Sequence, residues 1–162
     1  MGKEIIIVTI SLGNDGAERI LTELARQWHH DGHKITVIQT SPNRYGTEYA
    51  LPEGIEQIQI HTTSSNKILR FLQEIKALIG ILKERPNATC LSFLSASSFI
   101  LAISSWFVNN RMVFSERNNP RKVPVGKHQQ MLRDFAFRFA DAIVFQTEDA
   151  KSYFSKSIQS RG

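Results

Sequence analysis

The sequence lacks the features that mark several large protein classes. Cys90 is the one cysteine in 162 residues, so no internal disulfide is possible, and among strand-like neighbours it reads as a small buried hydrophobe. A disulfide-stapled scaffold is excluded, and a reducing cytoplasm fits. The glycines are wrongly spaced for two common nucleotide binders. Gly13 and Gly16 give Gly-x-x-Gly rather than Gly-x-Gly-x-x-Gly, and no Gly-x-x-x-x-Gly-Lys-Ser/Thr run occurs. The second expected strand also ends in Gln39-Thr40, without an acid for a ribose. NAD- and FAD-dependent oxidoreductases and P-loop NTPases are therefore not expected. No Gly-x-Ser-x-Gly elbow marks a serine hydrolase. His29 and His33 are four apart, but Gly32 ends the helix between them, and the helix dipole explains them better than a metal does.

Charge is absent from one stretch, between Arg85 and Arg111, which is long enough to cross a bilayer. Serines 92, 95, 97, 98, 104 and 105 interrupt it, so it reads as two shorter elements with a loop and helix cap at residues 95–98. The N-terminus sets Lys3 and Glu4 around a short apolar run with no small-residue cleavage site, which does not fit a secretion signal.

What is present suffices for one domain: 41% hydrophobic residues and enough length for a substantial core. A net charge of +5 favours an anionic partner, whether phosphorylated small molecule, nucleic acid or acidic membrane. Nucleic acid fits least, because the basic residues are scattered and no binding motif occurs.

The organising stretch is residues 3–40. The β-branched run at 4–10 reads as a strand buried on both faces. A glycine-bearing loop at 11–16 follows, then a helix with Ile20, Leu21, Leu24 and Trp28 on its buried stripe, begun by Asp15 and Glu18 and stopped at Gly32. A strand at 34–38 completes a βαβ unit, which crosses right-handed into a parallel sheet. Further strands are expected at 55–60, 89–94, 111–115 and 142–145. Between them lie a helix opened by Ser65 or Asn66 and ended at Arg85-Pro86, one capped by Ser97 or Ser98 and running to 108, one over 126–140, and a closing helix capped by Thr147. The expected stripes are Ile68, Leu72, Ile75, Ile79 and Leu82 for the long helix, widened by Leu69, Phe71, Leu78 and Ile81. For the helix over 126–140 they are Met131, Leu132, Phe135, Ala136 and Phe139. About six strands alternating with helices make an α/β, Rossmann-like doubly wound parallel sheet with helices on both faces.

In such sheets ligands bind beyond the carboxyl ends of the strands. A glycine loop entering a helix N-terminus suits phosphate, which singles out Gly13, Asn14 and Gly16. After the fifth strand, Ser115-Glu116-Arg117-Asn118-Asn119-Pro120 concentrates an acid, a base and amides suited to a polyhydroxylated or phosphorylated ligand. The long helix carries Lys67, Arg70, Lys76 and Lys83 beside a broad apolar face, a pattern that either packs on the sheet or lies on an anionic membrane.

Ser11-Leu12 followed by Gly16-Ala17-Glu18-Arg19, then Leu24-Ala25, Gly32-His33 and Thr36-Val37, resembles the opening of the family 4 retaining glycosyltransferases of the GT-B fold. Ser115-Glu116-Arg117-Asn118, Ala140-Asp141-Ala142 and Val144-Phe145-Gln146-Thr147-Glu148 agree in order and spacing. The resemblance is closest to branches that build bacterial surface polysaccharides. It implies two Rossmann-like domains, of which residues 1–162 match the N-terminal, acceptor-side one, with the nucleotide-sugar domain beyond it. It further implies hexosyl transfer to a glycan or lipid-linked acceptor, no metal cofactor, and a cytoplasmic enzyme that touches the membrane, with Lys67 and Arg70 as contacts. By the same resemblance Glu116 is the catalytic candidate, orienting the acceptor hydroxyl or contacting the donor sugar, where many relatives have a histidine. Gly13, Asn14 and Gly16 would approach the donor diphosphate, Arg117 and Asn118 would position hydroxyls or phosphate, and Ser95 would line the acceptor side. A non-catalytic anion-binding module and a peripheral membrane adaptor are the competing readings.

Overall fold

The computed structural model describes residues 2–13, 16–41, 49–93, 95–117, 120–122 and 126–162, without the side chains of Ser95 and Ala96. In chain order the elements are β1 (Glu4–Thr9), α1 (Gly16–His30), β2 (Lys34–Gln39), β3 (Glu56–Gln59), α2 (Lys67–Lys83), β4 (Thr89–Ser92) and α3 (Ser95–Ser104). A 3-10 turn (Ser105–Phe107) leads to β5 (Arg111–Glu116), α4 (Lys127–Phe137), β6 (Ala142–Phe145), α5 (Glu148–Ser152) and α6 (Lys156–Gln159). The strands form one sheet in the order β3-β2-β1-β4-β5-β6, every neighbouring pair parallel. The doubly wound expectation holds.

β1 sits in the middle, as its unbroken apolar run requires, with Ile6, Ile7 and Val8 sealed from solvent. Alternate residues feed two cores. Ile6 and Val8 join Ile38, Leu78, Leu101 and Phe137 on one face, while Ile7 joins Leu21, Ala25, Ile35, Val37 and Leu91 on the other, beneath α1. The Asn66 side chain accepts hydrogen bonds from the amides of Ile68 and Leu69 at 2.9 and 3.3 Å and caps α2. Thr147 caps α5 through the Ala150 amide at 3.1 Å. Gly32 stops α1 at φ +85°. At the β6 edge the Ile143 amide donates to the Arg161 carbonyl at 2.7 Å, so the C-terminal segment pairs with a strand that otherwise offers an open edge.

The helix stripes depart from expectation. In α1 the buried residues are Glu18, Leu21, Thr22 and Ala25, and Ile20 is exposed. In α2 they are Glu74, Ile75, Leu78 and Leu82, leaving Ile68, Leu69 and Leu72 exposed on the first turns. In α4 they are Arg133, Ala136 and Phe137, with Met131 and Leu132 exposed and Phe135 and Phe139 half-buried. Each time a polar residue with a partner or a cleft to face takes an inward position and turns the helix away from its most hydrophobic stripe. α3 begins at Ser95, two residues before the expected cap, and Ser97 and Ser98 lie buried with Ser98 Oγ hydrogen-bonded to Ser92 Oγ. The charge-free stretch is thus a strand, a ten-residue helix and a turn, and among the described residues no helix is long and apolar enough to cross a membrane.

Candidate functional site

Because all six strands run the same way, their carboxyl ends share one rim. The chain leaves β1 toward β2 on one side and leaves β4 toward β5 on the other, so the order reverses between β1 and β4. That reversal opens a crevice. The segments after β2, β1, β4 and β5 are neighbours along it.

At the end of β1, Gly13 is buried and Gly16 opens α1 in the open, where an added Cβ would meet nothing within 4 Å. Asn14 lies outside the described residues. Ser11 Oγ donates to Glu18 Oε1 at 3.3 Å, which holds a buried carboxylate in the first helical turn, where the dipole favours negative charge. Any phosphate approaching the amides of this loop shares the helix end with Glu18.

β5 delivers Glu116 as its last residue, inside the strand rather than in the loop after it, and 5% exposed. Arg133 comes down from α4, itself 3% exposed, and places Nη1 at 3.7 Å from Glu116 Oε2. Its Nε and Nη2 donate to Asp134 Oδ1 at 3.1 and 3.0 Å, and its guanidinium lies 4.6 Å from the Phe154 ring centre and 5.6 Å from that of Tyr153. The aromatic rings shield the cation from water and fix its direction. Arg117 turns back over Phe93 at the end of β4, 5.5 Å from the ring centre, and its buried Nε has no acceptor among the described residues. A buried donor without a partner costs free energy unless a ligand supplies one. Asn118 and the side chain of Ser95 lie outside the described residues, although the backbone of Ser95 starts α3 on this rim.

On the β1–β2 side the rim holds a cleft of about 230 Å³ lined by Ile10, Thr40, Ser41 and Ile100 with Lys67, Arg70, Phe71 and Glu74 of α2. Lys67 and Arg70 are therefore cleft-wall residues. Burial pushes the Glu74 carboxyl above its ordinary range, and the positive charge of Arg70 partly offsets this. Among the described residues no group of three His, Cys, Asp or Glu side chains gathers as a metal site would require.

Glu116 and Arg117 come together beside the end of β4, whereas Lys67 and Arg70 stand apart from them across β1. Three residues with consequences were missed from sequence: Glu18 as a buried acid, Glu74, and Arg133. The available signal was each charge's position within an apolar helical stripe, which for Arg133 means Leu132 before it and Phe135 after.

No curated protein sequence matches the chain. Among solved structures it is similar to the lipopolysaccharide outer core galactosyltransferase WaaB, with a TM-score of 0.72, 13% identity, and coverage of 99% of this chain and 42% of that one. It is also similar to sucrose-phosphate synthase from Thermosynechococcus elongatus, with a TM-score of 0.70, 9% identity and coverage of 93% and 44%. Anabaena Alr3699/HepE, solved in complex with UDP, gives 0.68 at 14% identity, covering 96% and 40%. The chain spans less than half the length of each, and at these identities the likeness is one of fold. The model of Glycosyltransferase Family 4 matches residues 14–161, which takes in Gly16 and the Glu116 rim and begins just after Gly13, and the chain belongs to that family.

Proposed function

We propose that this chain is the acceptor-side, N-terminal half of a retaining glycosyltransferase that moves a hexosyl group from a nucleotide sugar to a glycan or lipid-linked glycan acceptor in surface-polysaccharide assembly on the cytoplasmic side of the membrane. The observation that carries the reading is the pair of groups at the end of β5: a buried Glu116 turned toward Arg133, and an Arg117 Nε with no acceptor among the described residues. A buried carboxyl group turned toward a shielded cation keeps acceptor oxygens at the strand end, which suits the hydroxyl of a sugar. Arg117 supplies the complementary donor, to a hydroxyl or phosphate. Anabaena Alr3699/HepE, similar in fold, has been solved with UDP-glucose, which supports a nucleotide sugar as donor. Gly13, Asn14 and Gly16 would meet its diphosphate when a second domain closes over the rim, with Asn118 and Ser95 beside the acceptor. No metal is required for this division of labour, in which binding and positioning fall to side chains and loop amides.

The test is hexosyl transfer from UDP-sugars by this chain alone and by a chain extended through a second domain. The expected result is transfer only by the extended form, with Glu116→Gln lowering kcat about a hundredfold or more. Turnover by residues 1–162 alone, or full activity in Glu116→Gln, overturns the assignment. A second reading, a non-catalytic module for a small anion, is favoured by the cleft bearing Lys67 and Arg70. It predicts phosphate binding that Arg70→Gln abolishes and no sugar transfer in any longer form.

A further inference from the structure

We infer that the cleft between α2 and the ends of β1 and β2 is a subsite for a phosphorylated sugar and, resting on the glycosyltransferase reading above, that it anchors the phosphate-bearing end of the acceptor. Lys67, Arg70, Phe71 and Glu74 stand at positions i, i+3, i+4 and i+7 of α2, so the helix turns one stripe of two cations, an aromatic ring and an acid into this space. Glu74 is 8% exposed, yet no described residue hydrogen-bonds to its carboxyl group or pairs with it, and Arg70 acts on it through its field alone. A polar group buried in this way costs free energy unless a ligand answers it. The side chains of Lys67 and Arg70 likewise meet no acid among the described residues. Side chains make the site, not the helix end, because Asn66 already takes the amides of Ile68 and Leu69.

These groups select the ligand between them. Lys67 and Arg70 are exposed at the open edge of the cleft, where an ammonium and a guanidinium suit phosphate oxygens. A phosphate by itself would leave Glu74 unanswered, because an ionised phosphate has few protons to donate and a buried carboxyl group needs donors. Sugar hydroxyls supply them. Phe71, fixed by stacking on Phe99 at 5.8 Å, forms with Ile10 and Ile100 the apolar wall that a pyranose ring can lie against. At about 230 Å³ the cleft is smaller than the pockets that enclose drug-sized ligands, which start at about 300 Å³, so it suits one ring and its phosphate better than a whole nucleotide sugar. It also stands across β1 from Glu116, which leaves the phosphate anchored away from the reacting hydroxyl.

Calorimetry of this chain with the 1-phosphates of glucose, galactose and N-acetylglucosamine, each beside its free sugar and inorganic phosphate, tests the cleft without a transfer assay. At least one sugar phosphate is expected to bind about tenfold more tightly than inorganic phosphate, and the free sugars more weakly still. Lys67→Gln and Arg70→Gln should each weaken that binding about tenfold. Glu74→Gln should remove most of the advantage over inorganic phosphate, and Lys76→Gln, exposed elsewhere on α2, should change nothing. Circular dichroism checks that each variant folds. A farnesyl-diphosphate-linked form of the same sugar separates two sources: tighter binding names a lipid-linked acceptor and equal binding a soluble one, and either supports the subsite. Inorganic phosphate bound as tightly as every sugar phosphate, binding that survives Arg70→Gln, or an equal loss in Lys76→Gln overturns the inference. In the chain extended through a second domain, Arg70→Gln should raise KM for the best-binding sugar phosphate as acceptor and leave KM for the UDP-sugar unchanged. A rise in KM for the UDP-sugar instead overturns it. Transfer that proceeds equally well to neutral acceptors sinks this inference alone, whereas the binding pattern without transfer by any form sinks the glycosyltransferase reading and leaves the sugar-phosphate site standing.

Discussion

Replacing Arg133 by Met removes the cation from beside Glu116 while keeping an unbranched side chain among Phe154 and Tyr153. Both partners are almost fully buried, so the carboxylate left behind cannot recover its hydration. At 3.7 Å and an effective dielectric constant near 20, the attraction between unit charges is about 4.5 kcal/mol. Stripping one member of a buried pair costs about 3–5 kcal/mol. Arg133 Nη1 stands beyond hydrogen-bond distance of Glu116, and Glu116 keeps a further interaction, so the lower end applies and Arg133→Met is expected to cost about 3 kcal/mol. Neutralising the acid in the same chain removes the stranded charge. Arg133→Met with Glu116→Gln should therefore be more stable than the sum of the two single changes by about 2 kcal/mol. Urea unfolding followed by circular dichroism measures all four corners of this cycle. Additivity within about 0.5 kcal/mol would show that Glu116 and Arg133 do not interact and would refute the pairing.

Burial pushes the Cys90 thiol from 9.0 up to about 12, so the folded chain holds this proton more tightly than the unfolded chain. The stabilisation is complete below pH 9 and drains away as pH rises toward 12, by up to about 1.4 kcal/mol per pH unit. Urea titrations across that window should show the slope in the native sequence and a shallower one in Cys90→Ala; identical slopes would refute the assignment. Gly32 and Gly54 both hold left-handed backbone, at φ +85° and +90°, but a Cβ at Gly54 would sit 2.7 Å from His29 Nε2 while one at Gly32 meets nothing within 4 Å. Gly32→Ala is expected to cost about 1–2 kcal/mol from backbone strain, and Gly54→Ala more. Thermal melts that rank Gly32→Ala as the worse change would contradict that contact.

The number of strands, their parallel direction and the central place of β1 were legible because they rest on features that local sequence states outright. The β-branched run of β1, the glycine at the end of α1 and the Asn66 and Thr147 caps each have one physically favoured reading, and each is found where expected. The helix faces were legible only in part: Leu21, Ile75, Leu78, Leu82 and Ala136 are buried as expected. A hydrophobic stripe is read by counting apolar residues, and that count gave Ile20, Leu72 and Met131 inward positions which Glu18, Glu74 and Arg133 take instead. Whether a charge is buried depends on its partner in space, and those partners lie at Ser11 for Glu18 and at Glu116 for Arg133, in other elements. Of the candidate site, Glu116, Arg117 and the glycine loop could be placed from the rule that ligands gather at strand ends. Arg133, which gives Glu116 its charge environment, could not.

Both rims of the sheet hold polar side chains whose partners lie in other elements. At the amino rim Asn110 Nδ2 donates to the carbonyls of Arg85 and Ala88 at 2.7 and 3.1 Å, Asp141 Oδ2 accepts from the Met112 amide at 2.7 Å, Lys34 pairs with Glu4 at 2.8 Å and Arg85 with Glu56 at 2.9 Å. Such bonds hold elements in place and leave those atoms little to offer a ligand. At the carboxyl rim Ser11 meets Glu18, Glu116 faces Arg133, Glu74 lies beside Arg70 in the cleft, and Arg117 Nε has no acceptor among the described residues. Burying charge in this way is a poor source of stability, because the desolvation cost offsets much of the attraction. A fold with apolar residues to spare on its outer surface at Ile68, Leu72 and Met131 could have turned these inward and gained hydrophobic burial instead. That the helices turn these charged side chains in and leave hydrophobic ones facing out is a single exchange, in which Glu18, Glu74 and Arg133 take the inward places that Ile20, Leu72 and Met131 would otherwise fill.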